Sequence, residues 1–252
     1  MKLTLSIYAA ALCGQLAVAG PSIIGGELAS PGSAPYMVSI QKNDIHLCGG
    51  TLIRDNLVLT AAHCLVHEHP RSLRIAAGSH SYHKRAVTRG VAKGIIHADH
   101  DGKKRINDVA LIRLRRPFKL TDTVRTVELS QRQQIDGGTN VTVYGWGYTS
   151  YPHQKRIPKL QVLHRNIVDT AACNDAYVEY NGKNVTDNQL CTQTQGQGTC
   201  WGDSGGPLVW IDDDGKEYQV GIVSWGVSCA REWPDVATKV SSYLKWIEDN
   251  SA

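Results

Sequence analysis

The sequence GDSGGP, residues 202–207, places a serine between an aspartate and two glycines, directly before an apolar segment of strand length. A serine hydroxyl is a weak nucleophile at neutral pH and becomes reactive when an adjacent base takes its proton. The glycines around it let backbone N–H groups approach a developing oxyanion without a Cβ in the way. The sequence therefore predicts that Ser204 is a nucleophile at the edge of a strand.

Two further segments supply partners for Ser204. The sequence TAAHC, residues 60–64, follows an apolar strand and offers His63, while NDVAL, residues 107–111, opens another strand and offers Asp108. Histidine suits the role of general base because its pKa lies close to neutral pH. A buried carboxylate would fix the histidine tautomer and stabilise the imidazolium that forms. Each residue alone fits an ordinary loop or turn, but together they supply nucleophile, base and orienting acid.

Apolar segments of strand length recur between turn signals, and helical periodicity is confined to the end of the chain. The predicted strands are residues 37–40, 47–53, 57–60, 73–77, 108–114, 141–144, 160–168, 207–211 and 218–224. The dipeptide Asp214-Gly215 separates the last two and is typical of a hairpin turn. Apolar residues at helical spacing, with Ser241 or Ser242 as cap, predict the terminal helix: Val240, Tyr243, Leu244 and Ile247. Short strands with one terminal helix favour an all-β fold, either β-barrels or a sandwich.

The order His, Asp, Ser and the motifs TAAHC and GDSGGP make the chain resemble the chymotrypsin/trypsin family of serine endopeptidases, from Ile23 nearly to the end. The resemblance implies two six-stranded antiparallel Greek-key barrels, about residues 23–134 and 135–252, with a C-terminal helix and the active site between the barrels. It implies a catalytic His63, Asp108 and Ser204, with the backbone N–H groups of Gly202 and Ser204 as the oxyanion hole. An inactive homologue that acts by binding, or a lectin-like barrel, is the alternative, although all three triad residues are present.

The N-terminus and the composition indicate the compartment. Lys2 precedes an apolar stretch that reaches about Leu12, and the small residues 17–19 fit a signal-peptidase site. We therefore expect a signal peptide at 1–19 and a secreted protein, the alternative being a buried N-terminal helix. The net charge of +4 is too mild to predict nucleic-acid binding, and no other segment approaches roughly 18 uninterrupted apolar residues, so we expect no membrane anchor.

Seven cysteines are present, and Cys13 would leave with the signal peptide. The remaining six allow 15 pairings, so the count alone predicts disulfides without their connectivity. The resemblance implies three bridges: Cys48–Cys64, Cys173–Cys191 and Cys200–Cys229. The sequons at Asn140 and Asn184 are candidate glycosylation sites if the chain is secreted.

The resemblance also implies activation by cleavage before Ile23, whose ammonium would pair with Asp203. The bond between Ser22 and Ile23 has no Arg or Lys before it, so a trypsin-like activator is not expected. We expect a very short propeptide, residues 20–22, and a peptidase domain, residues 23–252. Signal-peptidase cleavage after Ser22 would instead release active enzyme directly.

The resemblance implies a pocket for P1, the substrate residue that precedes the cleaved bond. Its residues would be Gly198, Thr199, Trp201, Ser224, Trp225, Gly226 and Asp235. Gly198 would occupy the pocket floor, and Asp235 would stand on the pocket wall, where the family usually has Gly. The same combination of Gly on the floor and Asp on the wall occurs in arthropod collagenolytic and some insect chymotrypsin-like enzymes. Glycine at the pocket floor and mouth, Gly198 and Gly226, favours Phe, Tyr, Leu or Met at P1, and an unpaired carboxylate at Asp235 would add some cleavage after Arg and Lys. The alternatives are a trypsin-like preference through Asp235, or an Asp235 that faces solvent or makes a structural hydrogen bond.

The histidine-rich segments 67–69 and 97–100 lack the HExxH spacing of a zinc site, so we expect no metal and no cofactor. The expected partners are protein or peptide substrates and protein protease inhibitors. We expect a monomer.

Overall fold

The computed structural model describes residues 24–150, 156–227, 229 and 232–252. The predicted signal peptide at 1–19, the propeptide at 20–22 and Ile23 lie outside the described residues. The described part of the chain forms fourteen β-strands, two α-helices and three short 3₁₀ segments.

All the segments predicted as strands fall within or overlap observed strands. The first seven are β1 (Glu27–Leu28), β2 (Met37–Lys42), β3 (Ile45–Arg54), β4 (Leu57–Thr60), β5 (Leu73–Ala77), β6 (Val87–Ile96) and β7 (Ala110–Leu114). The second seven are β8 (Glu128–Leu129), β9 (Asn140–Gly145), β10 (Gln161–Val168), β11 (Gln189–Gln193), β12 (Pro207–Ile211), β13 (Glu217–Trp225) and β14 (Asp235–Lys239). The helices are α1 (Thr170–Asn181) and α2 (Leu244–Asp249), and the 3₁₀ segments are Ala62–Cys64, Pro70–Ser72 and Val240–Tyr243.

The first barrel closes in the strand order β2-β3-β4-β7-β6-β5, with antiparallel pairing throughout. Its interior is filled by apolar side chains that are completely buried, among them Ile40, Leu52, Leu59, Ile75 and Leu111. Burial of each such side chain stabilises the fold by about 1.5–3 kcal/mol. This interior makes the barrel a rigid support for the loops at its rim.

The second barrel runs β9-β10-β11-β14-β13-β12 and closes because β9 pairs with both β10 and β12. Strand β1 adds to the outside of β10, and β8 lies parallel to β13. Val143, Leu163, Leu190 and Val220 belong to its apolar interior. The prediction of two six-stranded antiparallel barrels with a C-terminal helix is confirmed.

The helices differ in part from the prediction. Helix α1 was not expected; the Asp169 side chain accepts from two backbone N–H groups at its start, and the helix ends at Gly182, whose φ of +70° is left-handed. In the tail, the chain passes from a 3₁₀ segment directly into α2. The prediction that Ser241 or Ser242 caps the terminal helix is wrong, because both residues lie inside the 3₁₀ segment. The N-cap positions belong to Lys239 for the 3₁₀ segment and to Tyr243 for α2, and neither has a side-chain cap.

Three disulfides join Cys48 to Cys64, Cys173 to Cys191 and Cys200 to Cys229. The first ties the segment that contains His63 to β3, and the second ties α1 to β11. None of the helices in the described part of the chain has the length and apolarity needed to cross a membrane.

Candidate active site

His63 and Asp108 form a hydrogen-bonded pair at the rim of the first barrel. His63 lies in the 3₁₀ segment that follows β4, and Asp108 lies two residues before β7, the strand that pairs with β4. Asp108 Oδ2 is 2.7 Å from His63 Nδ1, and Asp108 Oδ1 accepts from the His63 backbone N–H at 2.8 Å. Two contacts to one carboxylate fix both the ring and the backbone of the histidine.

The Asp108 carboxylate is completely buried and receives a third hydrogen bond, from Ser224 Oγ at 2.5 Å. Desolvation acts to raise the pKa of Asp108, but the hydrogen bonds from His63 and Ser224 and the charge of His63 outweigh it and lower the pKa below its ordinary value. Asp108 is therefore a carboxylate at neutral pH. It orients the histidine from the interior, and its contact with Ser224 on β13 joins the two barrels.

The loop that carries Ser204 is held between the barrels. The Gly49 backbone N–H of β3 donates to the Ser204 carbonyl at 2.8 Å, and the Gly205 N–H donates to the carbonyl of Val223 on β13 at 2.8 Å. Gly205 has a φ of +77°, and a Cβ there would meet the Thr60 hydroxyl and the Gly49 carbonyl. Glycine is required at this position because the first barrel approaches the loop too closely for a side chain.

Asp203, next to Ser204, is completely buried. Its carboxylate accepts from the backbone N–H groups of Gly147 at 2.8 Å and Cys200 at 2.9 Å. Desolvation nevertheless raises the pKa of Asp203 to about 7. The two backbone hydrogen bonds and the nearby charge of Arg156 thus do not offset burial, and none of the ion pairs among the described residues includes Asp203.

Gly202 adopts a φ of +103°, which favours glycine. Its carbonyl lies 2.8 Å from Nε2 of the buried His46, whose Nδ1 is 2.7 Å from Ser39 Oγ. Desolvation lowers the pKa of His46 to about 4, so this ring is neutral at physiological pH. Within the described ranges, the backbone N–H groups of Gly202 and Ser204 have no hydrogen-bond acceptor.

One cavity of about 270 Å³ contains both His63 and Ser204. It is lined by His63, Arg105, Thr199, Cys200, Trp201, Ser204, Val223, Ser224, Trp225, Gly226 and Cys229. Most of the predicted pocket residues therefore lie around the same space. Gly198 and Asp235 are buried and do not belong to this lining; the Gly198 N–H donates to the carbonyl of Ile24. Trp201 stays 52% exposed at the cavity edge.

The expectation of an unpaired carboxylate at Asp235 is wrong. Its Oδ2 is 3.1 Å from Nη2 of Arg165 and also accepts from the Thr199 backbone N–H at 2.8 Å. The Oδ1 atom occupies the space where a Gly226 side chain would begin, 2.6 Å from the position of a Cβ there. Burial raises the pKa of Asp235 above its ordinary value, and the charge of Arg165 acts in the opposite direction.

Arg165 and Arg105 are site residues that the motifs did not indicate. A signal for Arg165 exists in the sequence LHRNI, residues 163–167, because strand alternation places Arg165 on the same face as Leu163 and Ile167. An arginine on an apolar strand face is rarely buried without an acidic partner. Arg105 lines the cavity because it lies in the turn just before Asp108.

Two barrels with a hydrogen-bonded His–Asp pair and a glycine-flanked serine at one cavity define a serine protease, a hydrolase with a His-Asp-Ser triad. The sequence model of the family described as Trypsin matches residues 23–247, and the chain belongs to the trypsin family.

Relatives and a solved structure agree with this assignment. The chain is 33% identical over 230 residues to trypsin delta of Drosophila erecta, covering 91% of this chain and 88% of that protein. It is 37% identical over 235 residues to the vitellin-degrading protease of Bombyx mori, covering 90% of this chain and 85% of the relative. Neuropsin, a serine protease expressed in the limbic system of mouse brain, superposes with a TM-score of 0.81 at 32% identity, over 90% of this chain and 99% of neuropsin.

Proposed function

We propose that this serine endopeptidase cleaves peptide bonds through an acyl-enzyme formed on Ser204. His63 takes the Ser204 proton as the oxygen attacks the substrate carbonyl, and Asp108 stabilises the resulting imidazolium. The N–H groups of Gly202 and Ser204 hold the oxyanion. His63 then gives its proton to the leaving amine, and water releases the acid product by the reverse proton transfers. The observation that supports these roles is the fixed His63–Asp108 pair at the cavity of Ser204.

The test is covalent labelling with an organophosphate. We expect one phosphoryl group on Ser204 of the mature enzyme, no label in Ser204→Ala, and very slow labelling in His63→Ala. Equal labelling rates with and without His63 would contradict the proposed base and would favour a catalytically weak homologue that acts by binding.

We propose that the P1 preference is for bulky apolar side chains, namely Phe, Tyr, Leu and Met. The cavity wall offers the apolar surfaces of Val223, Trp225 and the Cys200–Cys229 disulfide. The adjacent carboxylate of Asp235 is engaged by Arg165, so the secondary cleavage after Arg and Lys expected from an unpaired carboxylate loses its basis. The resemblance to arthropod collagenolytic and insect chymotrypsin-like enzymes, in Gly198 with Asp235, agrees with a chymotrypsin-like preference.

The competing candidate is a trypsin-like preference for Arg and Lys, favoured by the trypsin names of several relatives. Peptides that differ only at P1, assayed with active-site-titrated enzyme, distinguish the two. We expect kcat/KM to be highest for Phe, Tyr, Leu or Met. A higher kcat/KM for Arg than for Phe would overturn the proposed preference.

We propose that the enzyme is secreted as a precursor and activated by cleavage between Ser22 and Ile23. The new ammonium of Ile23 would pair with Asp203, whose buried carboxylate has a raised pKa and forms no ion pair with a described residue. Such a charge is costly alone and stabilised by an opposite charge. N-terminal sequencing of the active form tests this: we expect a start at Ile23, and full activity with a start at Gly20 would refute it.

We further propose N-glycosylation of the secreted chain. Asn140 and Asn184 are both exposed, as an acceptor site requires. We expect the secreted protein to lose mass on treatment with an N-glycosidase and to elute as a monomer. An unchanged mass would exclude occupancy of both sites.

A further inference from the structure

A buried ion pair lies against the cavity that contains His63 and Ser204. Arg165 and Asp235 come from β10 and β14, which flank β11 in the second barrel. Their side chains are only 1% and 9% exposed. Because both charges are removed from water, each depends on the other for its stability.

The Arg165 guanidinium is held firmly in this position. Besides Asp235, it donates through Nη2 to the carbonyl of Thr192 at 2.6 Å and through Nη1 to the carbonyl of Gln197. Gln197 directly precedes Gly198, the residue expected at the pocket floor. The guanidinium is thus fixed by three acceptors from different parts of the barrel. If it moved away from Asp235, the two carbonyl groups would lose their hydrogen-bond donor.

The carboxylate of Asp235 connects this pair to the cavity. Its Oδ2 accepts from the Thr199 N–H, and its Oδ1 fills the space beside Gly226. Thr199 and Gly226 both line the cavity. The ion pair therefore lies directly behind Thr199 and Gly226, the residues of the cavity wall that a P1 side chain would contact.

We propose that Arg165 is a specificity-determining residue, which cancels the charge of Asp235 and so makes the P1 site select neutral side chains. This inference rests on the proposed P1 preference. A P1 lysine or arginine that approaches Asp235 meets a carboxylate already paired, and it is repelled by the Arg165 guanidinium behind it. Removal of either partner exposes the charge of the other, so the two partners have opposite effects on P1 choice.

The experiment measures kcat/KM for three peptides that differ only in P1 Phe, Arg or Glu. In Arg165→Met the Arg/Phe ratio is expected to rise about tenfold to a hundredfold, since Asp235 is then available to the substrate. In Asp235→Asn the unpaired Arg165 is expected to raise the Glu/Phe ratio and to lower the Arg/Phe ratio. The double variant contains neither charge and is expected to return both ratios close to the wild type.

Arg74→Met is the matched control, because it also removes an arginine from an ion pair on a strand of this chain. Arg74 pairs with Asp44 on the surface of the first barrel, where the two side chains are 60% and 77% exposed. We expect its P1 ratios to equal those of the wild type.

Ratios are compared because they do not depend on the fraction of folded enzyme. If Arg165→Met does not fold, Asp235→Asn and the double variant still decide, since both lack the buried unpaired carboxylate. Wild-type preference for Phe with ratios unchanged in Asp235→Asn would refute only the proposed role of Arg165. Ratios in the double variant that stay as far from the wild type as those of Asp235→Asn would refute it as well. Wild-type preference for Arg would instead refute the proposed P1 preference, whatever the variants do.

Discussion

Asp203 predicts an unusual dependence of stability on pH for the uncut chain, the proposed precursor. In the uncut chain Ile23 carries a peptide bond rather than an ammonium, so the Asp203 carboxylate is buried without that cation. Its pKa rises from 3.8 to about 7 as a result. This rise corresponds to about 4 kcal/mol that the ionised form costs the folded state.

The sign follows from proton binding. Between pH 7 and pH 4 the folded precursor holds a proton on Asp203 and the unfolded chain does not, so the stability of the folded state increases as the pH falls. Between pH 8 and pH 5 the gain is about 3 kcal/mol for this one group. For a chain of this size that amounts to roughly 6–12 °C in Tm.

The assay compares two inactive precursors, Ser204→Ala and Ser204→Ala/Asp203→Asn, by thermal and urea unfolding at pH 8 and pH 5. Every other titrating group is shared, so the difference between the two proteins isolates Asp203. We expect Asp203→Asn to be the more stable protein at pH 8 and to lose about 3 kcal/mol of that advantage at pH 5. A difference in stability that is the same at both pH values would refute the reasoning.

The same comparison on the mature form tests the proposed ion pair. After cleavage the Ile23 ammonium would hold the pKa of Asp203 down, so the ionised carboxylate becomes the favoured form. We expect Asp203→Asn to destabilise the mature protein at pH 8, the opposite sign from the precursor. An unchanged sign would mean that cleavage leaves Asp203 unpaired.

Three further predictions concern single contacts. Ser224→Ala removes the hydroxyl that donates to Asp108, and a hydrogen bond to a charged group is worth about 1.5–3 kcal/mol. We therefore expect kcat to fall about tenfold. An unaltered kcat would show that the remaining contacts suffice to hold the carboxylate. Replacement of both Cys48 and Cys64 by Ala removes a disulfide that spans 16 residues and is expected to lower the free energy of unfolding by about 3 kcal/mol, measured in urea. A urea midpoint equal to that of the wild type would contradict this. His46 has a pKa of about 4 in the folded state against 6.5 in the unfolded chain. The folded state therefore loses about 3 kcal/mol of stability as the pH falls from 6.5 to 4. His46→Gln should flatten this part of the dependence of folding stability on pH.

The strands that the sequence predicted share a clear apolar signal, and two of the elements that it missed, β6 and α1, lack one. Strand β6 buries only Val91 among its ten residues and contains Gly90 and Gly94, so neither alternation nor β-propensity marks it. Helix α1 buries only Cys173 and Tyr177, too few for an amphipathic stripe. Both form because other segments of the same chain supply strand partners or a disulfide. A short stretch of sequence does not show such distant partners.

The catalytic constellation was predictable for a different reason. His63, Asp108 and Ser204 each stand in a short motif whose neighbours serve the same purpose, such as the cysteine that anchors His63 and the glycines that allow Ser204 to fit between the barrels. The chemistry of these positions constrains adjacent residues, so the signal is local. The geometry of the loop then brings the motifs to one cavity.

The charge of the proposed P1 site cannot be predicted from adjacent residues in this way. Asp235 alone predicts an acidic wall, and Arg165 alone predicts only an arginine on an apolar strand face. Their meeting depends on the register of β10 and β14 against β11, which pairs Thr192 with Asp235 and with Ile167. A chain with the same aspartate but an apolar residue at 165 would present a free carboxylate to the substrate. Under the proposed role of Arg165, Asp235 at the wall position therefore does not by itself predict specificity. The partner residue across the sheet must be identified as well.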